Sequence, residues 1–101
     1  MASKTVLETR ISKWNDKIDG FKAKIAKNKA QLQKNLEKLS RQYKTEITVD
    51  NYETQLKDDF ENRWRIHDCL ERIKNNEKEI KYAEREIASI QYKLNAILKA
   101  E

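Results

Sequence analysis

One hundred and one residues fit a single domain, and with one glycine and no proline the chain lacks the turn residues of a β-rich fold. Charged residues make up 39% and apolar ones 38%, rich in Ala, Glu, Lys, Leu, Ile and Arg; this suits long helices that bury a seam and excludes a deep pocket. The net charge of +5 is uneven: residues 1–47 hold twelve Lys/Arg against five Asp/Glu, and residues 48–101 hold ten against twelve. The basic half can therefore dock on the slightly acidic half and still leave positive charge for an anionic partner.

The opening "MASKTVLETR" has no apolar run of the signal-peptide kind. No stretch approaches the ~20 apolar residues of a membrane span. A single cysteine cannot form an internal disulfide and fits a reducing compartment. The expectation is a soluble cytoplasmic protein with no membrane contact.

From Leu7 the apolar residues run Leu7, Ile11, Trp14, Ile18, Phe21, Ile25, Leu32, Leu36, Leu39 and Tyr43, in steps of three and four. This predicts a helix over about residues 4–45, with Ser3 as N-cap and Ile11, Ile18, Ile25, Leu32 and Leu39 at heptad position a. Gly20 falls at an outward c position, and the seam keeps its phase across it. It is a weak point of roughly 1 kcal/mol in one helix and does not divide it into two.

The pattern stops at "KTEITVDNYETQ", where Thr45, Ile47, Thr48 and Val49 are β-branched and poor in helices. A turn is expected at about 46–50. Asp50 and Glu53 have capping-box spacing, so a second helix is expected over about 51–99. That helix carries Ile66, Ile73, Ile80, Ile87 and Leu94 at exact sevens, with Cys69, Asn76, Ala83, Ile90 and Ile97 at d. The short turn makes the two helices antiparallel neighbours. The fold class is all-α: an antiparallel helical hairpin of two long helices with a coiled-coil-like seam, able to self-associate through surplus apolar surface.

Centring the turn near residue 48 pairs Leu36 with Phe60, Leu32 with Trp64, and Leu7 with Ile90. It also sets Arg10, Lys17 and Lys38 opposite Glu86, Glu79 and Asp58, with Lys24 opposite Arg72 as the one mismatch. Exposed pairs of this kind are worth about 0.2–1 kcal/mol and select register more than they stabilise. Asn28, Asn35 and Asn76 fall at d, where they loosen the seam or form a polar layer shared with another chain.

The stretch "ENRWRIHDCL", residues 61–70, holds the only histidine, the only cysteine and one of two tryptophans. His67 and Cys69 lie two residues apart, nearly opposite on a helix, and cannot form a catalytic dyad within one chain. Cys69 reads as a small buried hydrophobe and His67 as a solvated b position. Asp58, Asp59 and Glu61 form a solvated acidic cluster that suits a helix dipole. No serine is placed with a histidine and a carboxylate, and no glycine-rich loop is present. No catalytic residue, metal site or cofactor is expected, and the chain is not expected to be an enzyme.

Tyr52, Leu56, Phe60 and Trp64 step by fours, so Trp64 lies about 160° from Ile66 on a continuous helix. Either the helix bends so that the stripe stays on helix 1 with Trp64 partly buried, or Phe60 and Trp64 form a second apolar face. In the second case Phe60, Arg63, Trp64 and Arg65 make a protein-docking site, because Trp and Arg dominate interface energies. On helix 1, Arg10, Lys13, Lys17, Lys24, Lys27, Lys34, Lys38 and Arg41 fall in adjacent g and c rows with no acidic interruption. They form a solvated face or a surface for an acidic partner or an RNA or DNA backbone. No aromatic residue interleaves the stripe, so nucleic-acid contact there would carry little sequence readout.

In size, lysine and asparagine bias and helical build, the chain resembles the small helical inhibitors that phages encode against host defence, the anti-CRISPR proteins included. The resemblance covers the whole chain in style and rests on no single motif, so it carries over no functional residue. It implies an inhibitor or modulator that docks on a nucleic-acid-handling protein, such as an RNA-guided nuclease, or on its RNA. Two other classes fit the residues: a structural coiled-coil adaptor or assembly subunit, homodimer included, and a direct nucleic-acid-binding protein without sequence specificity.

Overall fold

The computed structural model describes residues 3–100. Three helices follow in chain order: α1 (Lys4–Tyr43), α2 (Tyr52–Gln55) and α3 (Phe60–Ala100). The two long helices pack against each other as an all-α hairpin, with no strand among the described residues. The packing divides into two units, Lys24–Asn75 and Met1–Ala23 with Asn76–Glu101.

In the unit built from the two ends of the chain, Leu7, Ile90 and Leu94 are buried together, with Ile11, Trp14 and Ile97 packed on them. The expected Leu7–Ile90 pairing is therefore present. Ala83 is fully buried at its d position. Trp14 meets Tyr82 edge-on at 5.8 Å, and the Lys17 ammonium lies 4.5 Å from the Trp14 ring centre. The N-terminus of α1 is capped as expected: the Val6 N–H donates to Ser3 Oγ at 3.3 Å.

In the unit Lys24–Asn75, the core is Leu32, Leu36, Leu39, Ile47, Tyr52, Leu56, Ile66 and Ile73. The expected a positions Leu32 and Leu39 are in it. The expected d position Asn35 is not: it is exposed, and Leu36 takes its place. An α-helix drifts by about 20° per heptad against a strict seven-residue repeat, so after four heptads the buried edge has moved from d to e. Asn28 and Asn76 stay half-buried.

α1 ends in a Schellman arrangement. Lys44 takes the left-handed conformation (φ 54°), and the Thr45 N–H donates back to the Ser40 carbonyl at 3.2 Å. The Ser40 hydroxyl donates to the Leu36 carbonyl at 2.7 Å and accepts the Ile47 N–H at 2.9 Å. Ile47 is thereby turned into the core, where it is 3% exposed. Asn51 staples the turn from the other side, accepting the Thr48 N–H at 2.8 Å and donating to the Glu46 carbonyl at 3.0 Å.

Two expectations about the second helix are corrected. The Asp50–Glu53 capping box does not form; Thr48 Oγ1 accepts the N–H groups of Asp50 and Asn51, and Asn51 precedes α2 without a side-chain cap. Nor does one helix run from 51. Leu56 leaves helical geometry (φ −105°, ψ 32°) while burying its side chain, and a new helix starts at Phe60. Asp59 starts it: its carboxylate accepts the Asn62 N–H at 3.2 Å, and its carbonyl accepts the Arg63 N–H at 3.0 Å. A carboxylate N-cap at the positive end of a 41-residue helix outweighs one more turn of continuous helix through "KDD".

The cross-helix ion pairs are corrected as well. Arg10, Lys17 and Lys38 form no ion pair with Glu86, Glu79 and Asp58, and Arg65–Glu61 (2.8 Å) and Arg72–Asp68 (3.0 Å) form along α3 instead. Neighbours one turn apart on one helix pair with less loss of side-chain freedom than exposed chains reaching across a seam.

Gly20 lies in open space, with no atom within 4 Å of where a Cβ would sit. Gly20→Ala should therefore stabilise the protein by about 1 kcal/mol, raising Tm by roughly 4–8 °C. Lys44→Gly should add a comparable gain of about 1 kcal/mol by relieving the left-handed backbone. Calorimetric melts check both; an unchanged Tm for Lys44→Gly would show that the turn does not depend on that conformation.

Candidate functional site

α3 places Ile66 and Trp64 two residues apart and so on different faces. Ile66 is fully buried, whereas Trp64 is 52% and Phe60 62% exposed. Of the two readings of the Tyr52–Trp64 stripe, the second apolar face is the one present, with Trp64 about half-buried, and the Leu36–Phe60 and Leu32–Trp64 pairings are not formed in the core. The break at 56–59 splits the stripe. Tyr52 and Leu56 enter the core, and Phe60 and Trp64 start on a new helix whose phase is set by Ile66 and Ile73.

The two exposed rings form an ordered ridge. Phe60 and Trp64 meet edge-on at 6.0 Å, and Trp64 meets the His67 ring at 5.4 Å and 89°. The Arg63 guanidinium lies 5.6 Å from the Phe60 ring centre and donates to the Lys57 carbonyl at 3.2 Å. Arg65 is held by Glu61. Arg63 therefore braces the ridge, and Arg65 lies beside it. His67, expected to be merely solvated, is exposed but acts as the third ring of this row.

A shallow apolar cleft of about 310 Å³ lies along the ridge, bounded also by Tyr52, Glu53, Arg63 and His67. A second of about 420 Å³ is bounded by the same two rings with Glu61, Arg65 and Asp68. Tyr52 is buried, and that burial, with Glu53 beside it, pushes its phenol above the ordinary tyrosine range. It forms the floor of the first cleft.

Asp59 ties the ridge to the end of α1. Asn62 Nδ2 donates to its carboxylate at 2.7 Å, and the Tyr43 hydroxyl donates to the same oxygen. These hydrogen bonds, Asn62's first, hold the Asp59 carboxyl below the ordinary aspartate value. The same bond to Asp59 raises the Tyr43 phenol.

The eight cations of the α1 rows are all exposed. Arg10, Lys13 and Lys17 belong to the unit of the chain ends; Lys24, Lys27, Lys34, Lys38 and Arg41 belong to the other. Among the described residues, Lys27, Lys34, Lys38 and Arg41 form no ion pair. Cys69 is half-buried, and its thiol donates to the Asn28 carbonyl at 3.1 Å; burial raises its pKa, which suits a structural thiol. Among the described residues no group of His, Cys, Asp and Glu is arranged to hold a metal ion, and no helix is long and apolar enough to cross a membrane.

Comparison with protein-family models, curated proteins and solved structures returns no match.

Two measurements test this geometry. Ile66→Ala should cost about 2–5 kcal/mol, whereas Trp64→Ala, two residues away, should cost no more than about 1 kcal/mol. Equal losses on denaturant titration would place Trp64 in the core. The Asp59–Tyr43 contact should also shape stability against pH. The lowered Asp59 pKa contributes stability above the unfolded value of about 4, lost as pH falls through the folded value; the raised Tyr43 pKa contributes below about 10 and is lost as pH rises. Asp59→Asn keeps a capping oxygen but should flatten the acid side of the Tm–pH profile, and Tyr43→Phe should flatten the alkaline side.

Proposed function

We propose that this chain is a non-enzymatic helical binding protein that inhibits or modulates a nucleic-acid-handling protein by seating Phe60 and Trp64 in a pocket of that partner. The observation that carries the reading is the ridge itself: two large rings held in solvent on a long helix, with their orientation set by His67, Arg63 and the Asp59 cap. Rings ordered before binding lose little conformational freedom on docking, and aromatic anchors supply most of an interface's energy.

With side chains of 150–250 Å² each, the exposed parts of the two rings amount to about 250 Å². A stable protein–protein interface buries about 800 Å² per partner, so the rings serve as the anchor within a larger contact. A coiled-coil adaptor would need an apolar strip along several turns, whereas Phe60 to Trp64 spans one turn, about 6 Å. The basic rows of α1 suit a partner that carries RNA or DNA. An RNA-guided nuclease is the partner class implied by the likeness to phage-encoded inhibitors.

A second reading, direct contact with a nucleic-acid backbone, is favoured by the exposed and unpaired Lys27, Lys34, Lys38 and Arg41.

The test is an RNA-guided DNA cleavage assay with increasing amounts of the protein. Wild type should slow cleavage, and Phe60→Ala with Trp64→Ala should lose potency by at least ~10-fold while keeping its helical spectrum. A double variant as potent as wild type sinks the ridge. A wild-type chain without effect on such nucleases sinks the partner class.

A further inference from the structure

The unit Lys24–Asn75 has a third concavity, different in character from the two clefts beside the rings. It is a groove of about 300 Å³ between α1 and α3, with the Cys69 thiol at its floor. Lys34 comes from α1; Arg65 and Arg72 come from α3, one on each side of Asp68. Three cations thus face one carboxylate. Asp68 is bound to Arg72 at 3.0 Å and Arg65 to Glu61 at 2.8 Å. Each of these pairs occupies a single guanidinium nitrogen, leaving N–H groups to turn towards a guest. Lys34 has no ion pair among the described residues. The amide side chains of Asn28, Gln31 and Asn35 complete the α1 wall and can donate as well as accept.

We infer that this groove binds a phosphodiester of a nucleic-acid strand, with Lys34, Arg65 and Arg72 on the phosphate oxygens and the wall amides on the sugar. The inference rests on the second reading above and deepens it: α3, although it belongs to the half of the chain (residues 48–101) that is slightly acidic, supplies two of the three phosphate ligands. An arginine fork matches two phosphate oxygens, and a lysine adds a point charge. A nucleic-acid strand fits better than an acidic peptide because the cations continue beyond the groove. Lys27, Lys34 and Arg41 recur every seven residues along α1, about 10.5 Å apart, so a polyanionic strand lying along the helix keeps meeting cations. The groove holds no aromatic side chain, so it grips backbone and reads no base.

The test uses the whole chain and a fluorescein-labelled oligouridine about 12 nucleotides long, followed by anisotropy across a salt series. Three charge-matched double variants are compared: Lys34→Gln with Arg72→Gln in the groove, Lys27→Gln with Arg41→Gln on α1 outside it, and Lys74→Gln with Lys81→Gln elsewhere on α3. All six positions are exposed, and circular dichroism confirms that each variant keeps its helices. The groove pair should weaken binding about 10-fold and flatten the slope of log K against log salt by about 1.4, two single-strand phosphate contacts at ~0.7 each. The Lys74/Lys81 pair should change it less than about 2-fold. Inorganic phosphate should compete only at far higher concentration than unlabelled oligouridine. Trp64→Ala should leave this binding intact, which separates the groove from the ridge. Weakening by the α1 pair with less than about 2-fold loss in the groove pair overturns the groove and leaves a basic surface on α1 alone. Oligoglutamate displacing the RNA as well as oligouridine does assigns the groove to acidic peptides. No binding by wild type even at low salt removes the groove and the second reading together.

Discussion

The carboxylate of Asp59 is the constraint on which the arrangement of the unit Lys24–Asn75 depends. It caps α3, accepts the Asn62 side chain and accepts the Tyr43 hydroxyl from the last turn of α1. Capping decides where α3 begins, and the buried isoleucines further along decide which way the residues of its first two turns face. With α3 starting at Phe60, Ile66 and Ile73 point into the core and Phe60 and Trp64 cannot. The aromatic ridge is the geometric remainder of a helix whose buried face is set by isoleucines further along.

The segment between the long helices has a matching role. Ile47, Tyr52 and Leu56 fill the end of the core that α3 leaves open by starting late. Ser40 and Asn51 meet the turn's backbone hydrogen-bonding needs with side chains, as an irregular segment packed against a core must. α2 is a single turn and buries Tyr52, so it works as a plug more than as a helix in its own right.

How much of this was legible follows the strength of each local signal. The seam was readable because isoleucines at exact sevens from Ile66 onward leave one possible buried face, and they placed Ala83 and Ile90 correctly. The N-cap at Ser3 was readable for the same local reason. The break at 56–59 was not, because Tyr52, Leu56, Phe60 and Trp64 step by fours and mimic one continuous face. The competing signal was present in "DDFEN", where Asp59 sits three residues before Asn62. The two candidate helix starts, Asp50 and Asp59, lie nine residues apart and look redundant; only Asp59 caps a helix, and the segment before it turns to bury Tyr52 and Leu56. The docking residues Phe60, Arg63, Trp64 and Arg65 were identifiable by type, but which of them face solvent depended on that break. Arg72 was read only as a like-charge mismatch opposite Lys24, because the heptad pattern gives register and not the concavity a side chain lines. Only the groove shows that it shares a concavity with Lys34.

The thiol at the floor of that groove gives the molecule an internal clock. Cys69 donates to a backbone carbonyl of the opposite helix, and burial keeps it protonated. Alkylation needs a free thiolate, so the half-buried, hydrogen-bonded thiol reacts faster whenever α1 and α3 part around Asn28. As the only cysteine, it reports one place without ambiguity. The rate at which a small electrophile consumes it measures how often that pair of helices breathes. A guest bridging the groove above it would slow that rate with no label attached to either molecule.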